Sequence, residues 1–204
     1  MKTPWFTFAG ICSLVFGIVI FCVVFGGYSS LLRSQNRVQA VKEHLVAQCR
    51  EQLGVVSDFS ELAAPESAGS RSGELRDAAA STALVLNRIQ QADAVFDPEL
   101  IAAFEASQIN LNQSVDGFVK EIHRDGIRRP ESYDALEKRL EELELAVFIM
   151  GKRYNKEARY FNTRTKVFPG FLIAPLFGLD DIHYPEIAVH LLAPSREKAS
   201  SSAS

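Results

Sequence analysis

Charged residues are absent from Thr3 through Leu32, the longest such gap in the chain. Within it, Trp5–Phe25 is almost unbroken apolar or small residues. In a helix rising ~1.5 Å per residue this run spans roughly 31 Å, close to the ~30 Å hydrocarbon core of a bilayer. Trp5 and Tyr28 bracket it, where amphipathic aromatics settle at a membrane–water boundary. A cleavable signal peptide has a shorter apolar core, a basic front and a small-x-small exit. Here only Lys2 precedes the run, and "FGGYSS" is a weak exit. The pattern predicts an uncleaved transmembrane anchor over residues 1–27.

Beyond the anchor the apolar period becomes that of a helix with one buried face. Leu31, Val38, Val41, Leu45, Cys49, Leu53, Val56 and Phe59 step mostly by three or four, with no Gly or Pro between Tyr28 and Leu53. The anchor should therefore continue as one helix to about Phe59. Residues 64–73, "APESAGSRSG", read as a loop. A second helix carries a thin stripe of Leu75, Ala79, Thr82, Leu86 and Ile89, then Val95 or Phe96. It stops where Asp97 suits an N-cap, Pro98 a first helical position and Glu99 the positive helix end.

The third helix has a heptad seam of Ile101, Phe104, Gln108, Leu111, Val115, Phe118 and Ile122. Gln108, its one polar member, reads as a wet edge of the seam rather than a register-fixing core amide. After a turn at residues 123–132 comes the longest helix, from about Glu131 to Phe168 and about 57 Å long. Its seam runs Tyr133, Leu136, Leu140, Leu143, Val147, Met150, Tyr154, Glu157, Phe161 and Phe168, and Pro169 stops it. No strand-period alternation of any length occurs. The fold class is all-α: one transmembrane helix followed by an antiparallel up-down four-helix bundle over residues 28–168. The shared core should hold Leu111, Val115, Phe118, Leu140, Leu143, Val147 and Met150.

Residues 169–193 are too apolar for a loop in water. Phe171, Leu172, Ile173, Leu176 and Phe177 follow Pro169, with Pro175 among them. An even number of bundle helices returns the fourth to the bilayer side. Residues 169–179 should then sit membrane-proximal, in contact with Tyr28–Leu32, plugging the bundle end or dipping into the headgroups. Residues 194–204 read as a disordered tail. Inside the anchor, Ala9, Ser13 and Gly17 recur every four residues, a small-xxx-small face for close packing of transmembrane helices.

Composition narrows the functional classes. A net charge of −3 over 204 residues gives no basic footprint for nucleic acid. Of three cysteines, Cys12 and Cys22 lie in the anchor and Cys49 on an apolar stripe, so they read as small apolar residues. His183 and His190 near Asp180, Asp181 and Glu186 form the one cluster of ligand types, and it reads as a solvated turn rather than a metal site. "AGSRSG" lacks a preceding strand and a Lys-Ser/Thr ending, so it is no phosphate loop. No nucleophile elbow occurs. The sequence implies no catalytic residue, no metal and no cofactor.

One stretch carries a family resemblance. Tyr154-Asn155 is followed seven residues on by Phe161-Asn162, then Phe168-Pro169 before the apolar turn, then "HYPE" at 183–186. This resembles the signature of the LemA family of bacterial membrane proteins, with Phe161 in place of a usual tyrosine and Pro185 where phenylalanine is common. Tyr28, Asn36 and Val38 are similar to the family's first helix. Residues 50–58, "REQLGVVSD", depart from the family's Arg-Tyr-Asp-Leu-Ile-Pro-Asn-Leu-Val run. The resemblance, specific over about 146–187, implies an amino-terminal anchor and a helical bundle, in a divergent member, and it implies no catalytic activity. Asn155 and Asn162 lie on the flank of the seam. There they serve either as a polar strip for a partner chain or as hydrogen-bonding groups for local backbone.

The function expected is that of a non-enzymatic adaptor or self-assembling scaffold at the bacterial inner membrane. Its partners would be the membrane, a second copy of itself and a protein not named by the sequence. The alternative is a lipid-associating or membrane-remodelling module that uses Pro169–Leu179. Arg33, Arg37 and Lys42 after the span outnumber Lys2 before it, which favours a cytoplasmic bundle.

Overall fold

The structure, a computed structural model, describes residues 5–63, 70–91, 98–124 and 131–193. The described residues are all-helical, with no strand. The four long helices are α1 (Trp5–Ala63), α2 (Ser70–Gln91), α3 (Pro98–Arg124) and α4 (Glu131–Arg164), followed by a short α5 (Gly170–Ile173). Two single 3-10 turns, Pro175–Phe177 and Val189–Leu191, complete the described residues.

α1 is one uninterrupted helix of 59 residues, about 88 Å long. It is the one described helix long and apolar enough to cross a membrane, and none of its apolar window is buried. Ile11, Leu14, Phe16, Phe21 and Phe25 all point outward. Ser13 and Gly17 are exposed along the same stretch, and the side chain of Ala9 lies outside the described residues. From Leu31 onward α1 acquires a buried face of Val38, Val41, Leu45, Cys49, Val56 and Phe59.

Helix pairs are tied by named side-chain contacts. α1 meets α4 through Arg37–Glu157 at 3.7 Å and through Glu51–Arg139. Arg50 of α1 donates to Asn87 of α2 at 3.1 Å. α2 meets α3 through Arg71–Glu121 at 3.8 Å and through the Thr82 hydroxyl, which donates to the Ser107 carbonyl at 3.3 Å. Gln52 of α1 donates to Asn112 of α3 at 3.4 Å. The apolar interior forms two large clusters. One gathers Val38, Leu45, Leu86, Phe104, Val147, Tyr154 and Phe161, the other Phe59, Leu75, Leu111, Phe118, Tyr133 and Leu140.

The α3 heptad is buried at every expected position, from Ile101 to Ile122. Gln108 is among them at 1% exposure, so it is a core amide and not a wet edge. The reason lies in its neighbours: buried Gln52 and Thr82 on α1 and α2 and Ser107 on α3 make a polar layer between the two apolar clusters. On α2 the buried alanine is Ala78 rather than Ala79. α2 also begins at Ser70, inside the stretch read as a loop, while residues 64–69 lie outside the described residues. Val95, Phe96 and Asp97 lie outside them too, as does the 194–204 tail.

α4 ends at Arg164, four residues before the expected Phe168. The Thr165 hydroxyl donates back to the Asn162 carbonyl at 3.0 Å, and the chain then folds tightly over the helix end. A Cβ at Gly170 would come within 1.8 Å of the Arg164 carbonyl oxygen, so only glycine permits that fold. Phe168 thereby loses helical phase and is 70% exposed instead of completing the seam. Met150, expected in the core, is partly buried at its edge.

Two consequences are measurable. Phe118 is fully buried and meets the Phe59 ring edge-on at 5.5 Å. Phe118→Ala should lower stability by about 3 kcal/mol or more, read from denaturant unfolding of the full chain in detergent; a loss under about 0.5 kcal/mol would remove Phe118 from the core. Burial alone pushes the Cys49 thiol up to about 12. A thiol raised above its unfolded value of ~8.5 stabilises the fold fully below that pH and loses the contribution as pH climbs towards the folded value. In a chain with Cys12 and Cys22 replaced by Ala, Cys49 should resist maleimide at pH ~8.5 until denaturant is added.

Candidate functional site

Beyond α5 the chain turns back along α4. Gly178, in the left-handed region at φ 65°, closes the Pro175–Phe177 turn, a conformation that suits glycine. Residues 182–188 carry no regular secondary structure, so their backbone groups need partners from elsewhere. Asn162 supplies both for Tyr184: its Nδ2 donates to the Tyr184 carbonyl at 2.8 Å and its Oδ1 accepts the Tyr184 N–H at 3.0 Å. Asn155 does the same for Ile187, at 2.7 and 2.8 Å. An asparagine amide has the same donor–acceptor pair as a peptide group, so each imitates one rung of a β-ladder.

The spacing works because two rises coincide. Seven residues of α-helix climb about 10.5 Å, and three residues of extended chain cover about 10 Å. Two asparagines one heptad apart therefore meet residues three apart on the strap.

Other contacts fix the strap between the helices. The Tyr154 hydroxyl donates to the Pro185 carbonyl at 3.2 Å, and its phenol is raised above the ordinary tyrosine range by burial and by Tyr184. Tyr184 is buried, edge-on to Phe161 at 5.2 Å. Burial raises its phenol too, while the amides of Gln35 and Gln39 on α1 act in the opposite sense. Glu105 of α3 accepts the Ala188 N–H at 2.5 Å. Arg159 donates to both Glu186 oxygens, at 3.1 and 2.6 Å, and holds that carboxyl below the usual range. Both side chains are largely exposed, so the pair is screened by solvent.

The end of the body beside the apolar run is built on Gly27–Leu31. Ile173, Ala174 and Leu179 bury against Leu31, with Tyr28 and Ile182 alongside. A Cβ on Gly27 would sit 2.2 Å from Ile173 Cδ1, so any larger residue here would make the tip of Ile173 shift. Phe177 stacks on Tyr28 with ring centres 4.2 Å apart. The expected contact between 169–179 and Tyr28–Leu32 is present. Its buried apolar members are Ile173, Ala174 and Leu179, however. Phe171 and Leu172 stay about half exposed, and Leu176 is 69% exposed. Together with Val167 and Phe168 they form an apolar collar beside the exit of the apolar run.

Alongside lies a groove of about 770 Å³ between α1 and α4, flanked by Arg37, Lys152, Lys156 and Arg159, with Glu157 the acidic member. Tyr160 stands in it between the Arg37 and Arg164 guanidinium groups, 5.3 and 5.4 Å from its ring centre. Hydrogen bonding from Arg164, then from Arg37, holds its phenol below the ordinary range. Among the described residues no group of His, Cys, Asp or Glu is placed to hold a metal ion.

The structure brings Tyr154, Asn155, Phe161 and Asn162 into one strap-holding row and places Phe168 and Pro169 in the collar. Sequence reasoning missed Glu105, whose partner lies 83 residues away and leaves no local signal. No protein-family model, curated protein or solved structure matches the chain.

The clamp predicts a local effect. Asn162→Ala leaves a Tyr184 donor and acceptor unpaired, which should cost about 1–3 kcal/mol. Amide exchange at Tyr184 should accelerate while α3 amides around Leu111 keep their protection. Unchanged exchange at Tyr184 would show that the strap is held without the amide.

Proposed function

We propose that this chain is a single-pass membrane protein that works by binding and holds no catalytic site. Its apolar run over residues 1–27 is the anchor, and residues 28–168 form an antiparallel up-down four-helix bundle. The paired contacts support that topology: positions 37 and 51 of α1 face 157 and 139 of α4, and 71 and 82 of α2 face 121 and 107 of α3. In each pair the numbers rise on one helix and fall on the other.

The observation that carries the reading is the apolar collar. Phe168, Phe171, Leu172, Leu176 and Phe177 expose apolar surface at the end of the body where the equally exposed apolar run of α1 begins. Contiguous exposed apolar surface of this kind marks a contact surface, and a bilayer covers the run and the collar together. Lipid association through Pro169–Leu179 thus has its own support, as a property of the anchored body. The bundle above it is the adaptor or self-assembling scaffold, with a second copy of the chain as one partner and the Ala9, Ser13 and Gly17 face as the transmembrane contact. The chain fits a divergent member of the LemA family in the bacterial inner membrane, because the residues that carry the resemblance are those that clamp the strap.

Arg33, Arg37 and Lys42 favour the cytoplasmic side for the bundle by the positive-inside rule. Alkaline phosphatase fused after Ser195 should be inactive, while the fusion protein stays in the pellet after carbonate extraction. Strong phosphatase activity reverses the orientation, and release by carbonate refutes the anchor.

A further inference from the structure

α4 buries Leu140, Leu143, Val147, Tyr154 and Phe161 on one face. At 3.6 residues per turn, Lys138, Leu145, Ile149, Lys152 and Lys156 form a stripe on the face opposite. Leu145 and Ile149 are 45% and 52% exposed there, in the most outward positions of the helix. The two ends of the stripe differ in sign. Residues 131–147 hold six carboxylates and two cations, and residues 148–164 hold five cations and one carboxylate. The seven residues between Glu144 and Lys152 carry no charge, and the two exposed aliphatics sit among them. The basic half lies towards the apolar run, where cations beside a bilayer are ordinary. Proximity to a bilayer accounts for neither the acidic half nor the outward aliphatics.

We infer that this stripe pairs antiparallel with the same stripe of a second copy, and so joins two facing bilayers. The inference rests on the anchored, self-assembling reading above and gives it a surface and a direction. Turning one α4 end for end about residue 147 sets Leu145 against Ile149 of the second copy, twice over. The same turn brings Glu141 to Lys152 and Glu142 to Arg153 of the second copy, on matching sides of the seam. Lys138 against Lys156 is the one like-charge meeting on the stripe. A parallel pair would set acidic half against acidic half and basic against basic, which destabilises. Glu142 meets Arg139 of its own helix at 3.2 Å, but both side chains are about half exposed, so that pair is screened and weak. Arg153 is exposed.

The direction fixes where the anchors go. Gly27 of α1 and Arg164 of α4 line one small crevice, so α4 ends where the apolar run leaves the body. Antiparallel α4 helices therefore send their apolar runs opposite ways, which no single bilayer accommodates. Full overlap of the two helices holds the bilayers about 54 Å apart, the length of α1 beyond Gly27. Each contact is small, and many copies on facing surfaces act together.

The test uses the full-length chain with Cys12, Cys22 and Cys49 replaced by Ala. It is reconstituted into two populations of phosphatidylcholine vesicles, one carrying Leu145→Cys and the other Ile149→Cys. On mixing, the vesicles should cluster by light scattering, and oxidation should join position 145 to position 149 by a disulfide. Glu142→Arg or Arg153→Glu alone should weaken clustering by about tenfold, since each reversal acts at two symmetric places. The variant carrying both changes should cluster with itself as the unchanged chain does, but not with vesicles of the unchanged chain. That recovery separates a lost contact from a lost fold. Vesicles that stay apart, with no 145–149 disulfide, overturn the second copy as occupant and leave the stripe to a helix of another protein. Full clustering between the doubly changed and unchanged chains overturns the charge matching. A disulfide between two Leu145→Cys chains that forms faster than the 145–149 link overturns the antiparallel register. Release of the chain from the vesicles by carbonate counts against the anchor. The 145–149 disulfide is then read in detergent solution, where it depends on the stripe alone and its absence overturns the pairing.

Discussion

One unbroken helix governs the geometry of the rest. Because α1 runs from Trp5 to Ala63 without a hinge, its apolar run and its core-facing stretch share one axis and one rotational phase. The part beyond Gly27 is about 54 Å long, and α4 is about 51 Å. Two helices of nearly equal length, paired along α1, bring the end of α4 to the exit of the apolar run. The chain just beyond Arg164 then has to be accommodated at that exit before it turns back along α4. Glycine at 27 is what lets Ile173 approach closely enough to close the joint.

Helical periodicity made much of this legible from the sequence, and the limits have physical causes. The α3 seam was readable to the residue because every member of a heptad falls on one face whatever lies opposite. Where α4 ends was not, because Pro169 constrains its predecessor without saying how many residues earlier the helix gives way. The tight return of Gly170 onto the Arg164 carbonyl decided that, and it is a tertiary contact. The roles of Asn155 and Asn162 depended on backbone that arrives 32 and 22 residues later. That backbone has no period of its own to announce it. Gln108 was misjudged for a similar reason. One polar residue in an apolar seam looks like an edge until the same level of the neighbouring helices is seen to be polar too.

That polar level has a consequence for specificity. Gln52, Thr82, Ser107 and Gln108 separate two apolar clusters, each of which alone would tolerate sliding of one helix past another. A slip of α3 by one heptad would set Gln108 against the apolar side chains of a cluster, and Ile101 or Val115 at the level of Gln52. The cost is the desolvation of amide groups, two of which, Gln52 Oε1 and Gln108 Nε2, find no hydrogen-bond partner. Polar residues at core positions of helical bundles fix register at the expense of stability, and these sit where the two clusters meet.

The strap completes the packing at the other end. α4 packs on α1, α1 on α2, and α2 on α3, which leaves α3 and α4 as the open side. At one end the chain itself joins them, since only residues 125–130 separate Arg124 from Glu131. At the opposite end nothing covalent does. There Asn155 of α4 grips Ile187, and Glu105 of α3 takes the next backbone N–H, that of Ala188. Tyr184, Ile187 and Leu192 fill the space between the helices as part of the same core cluster as Phe104 and Phe161. The segment that follows the collar is therefore the fourth wall of the body at the end that carries the apolar run. Loosening it would uncover apolar core directly beside the exit of the apolar run. The exposed apolar surface at residues 167–177 and the integrity of the helical body are in this way mechanically coupled through one stretch of chain.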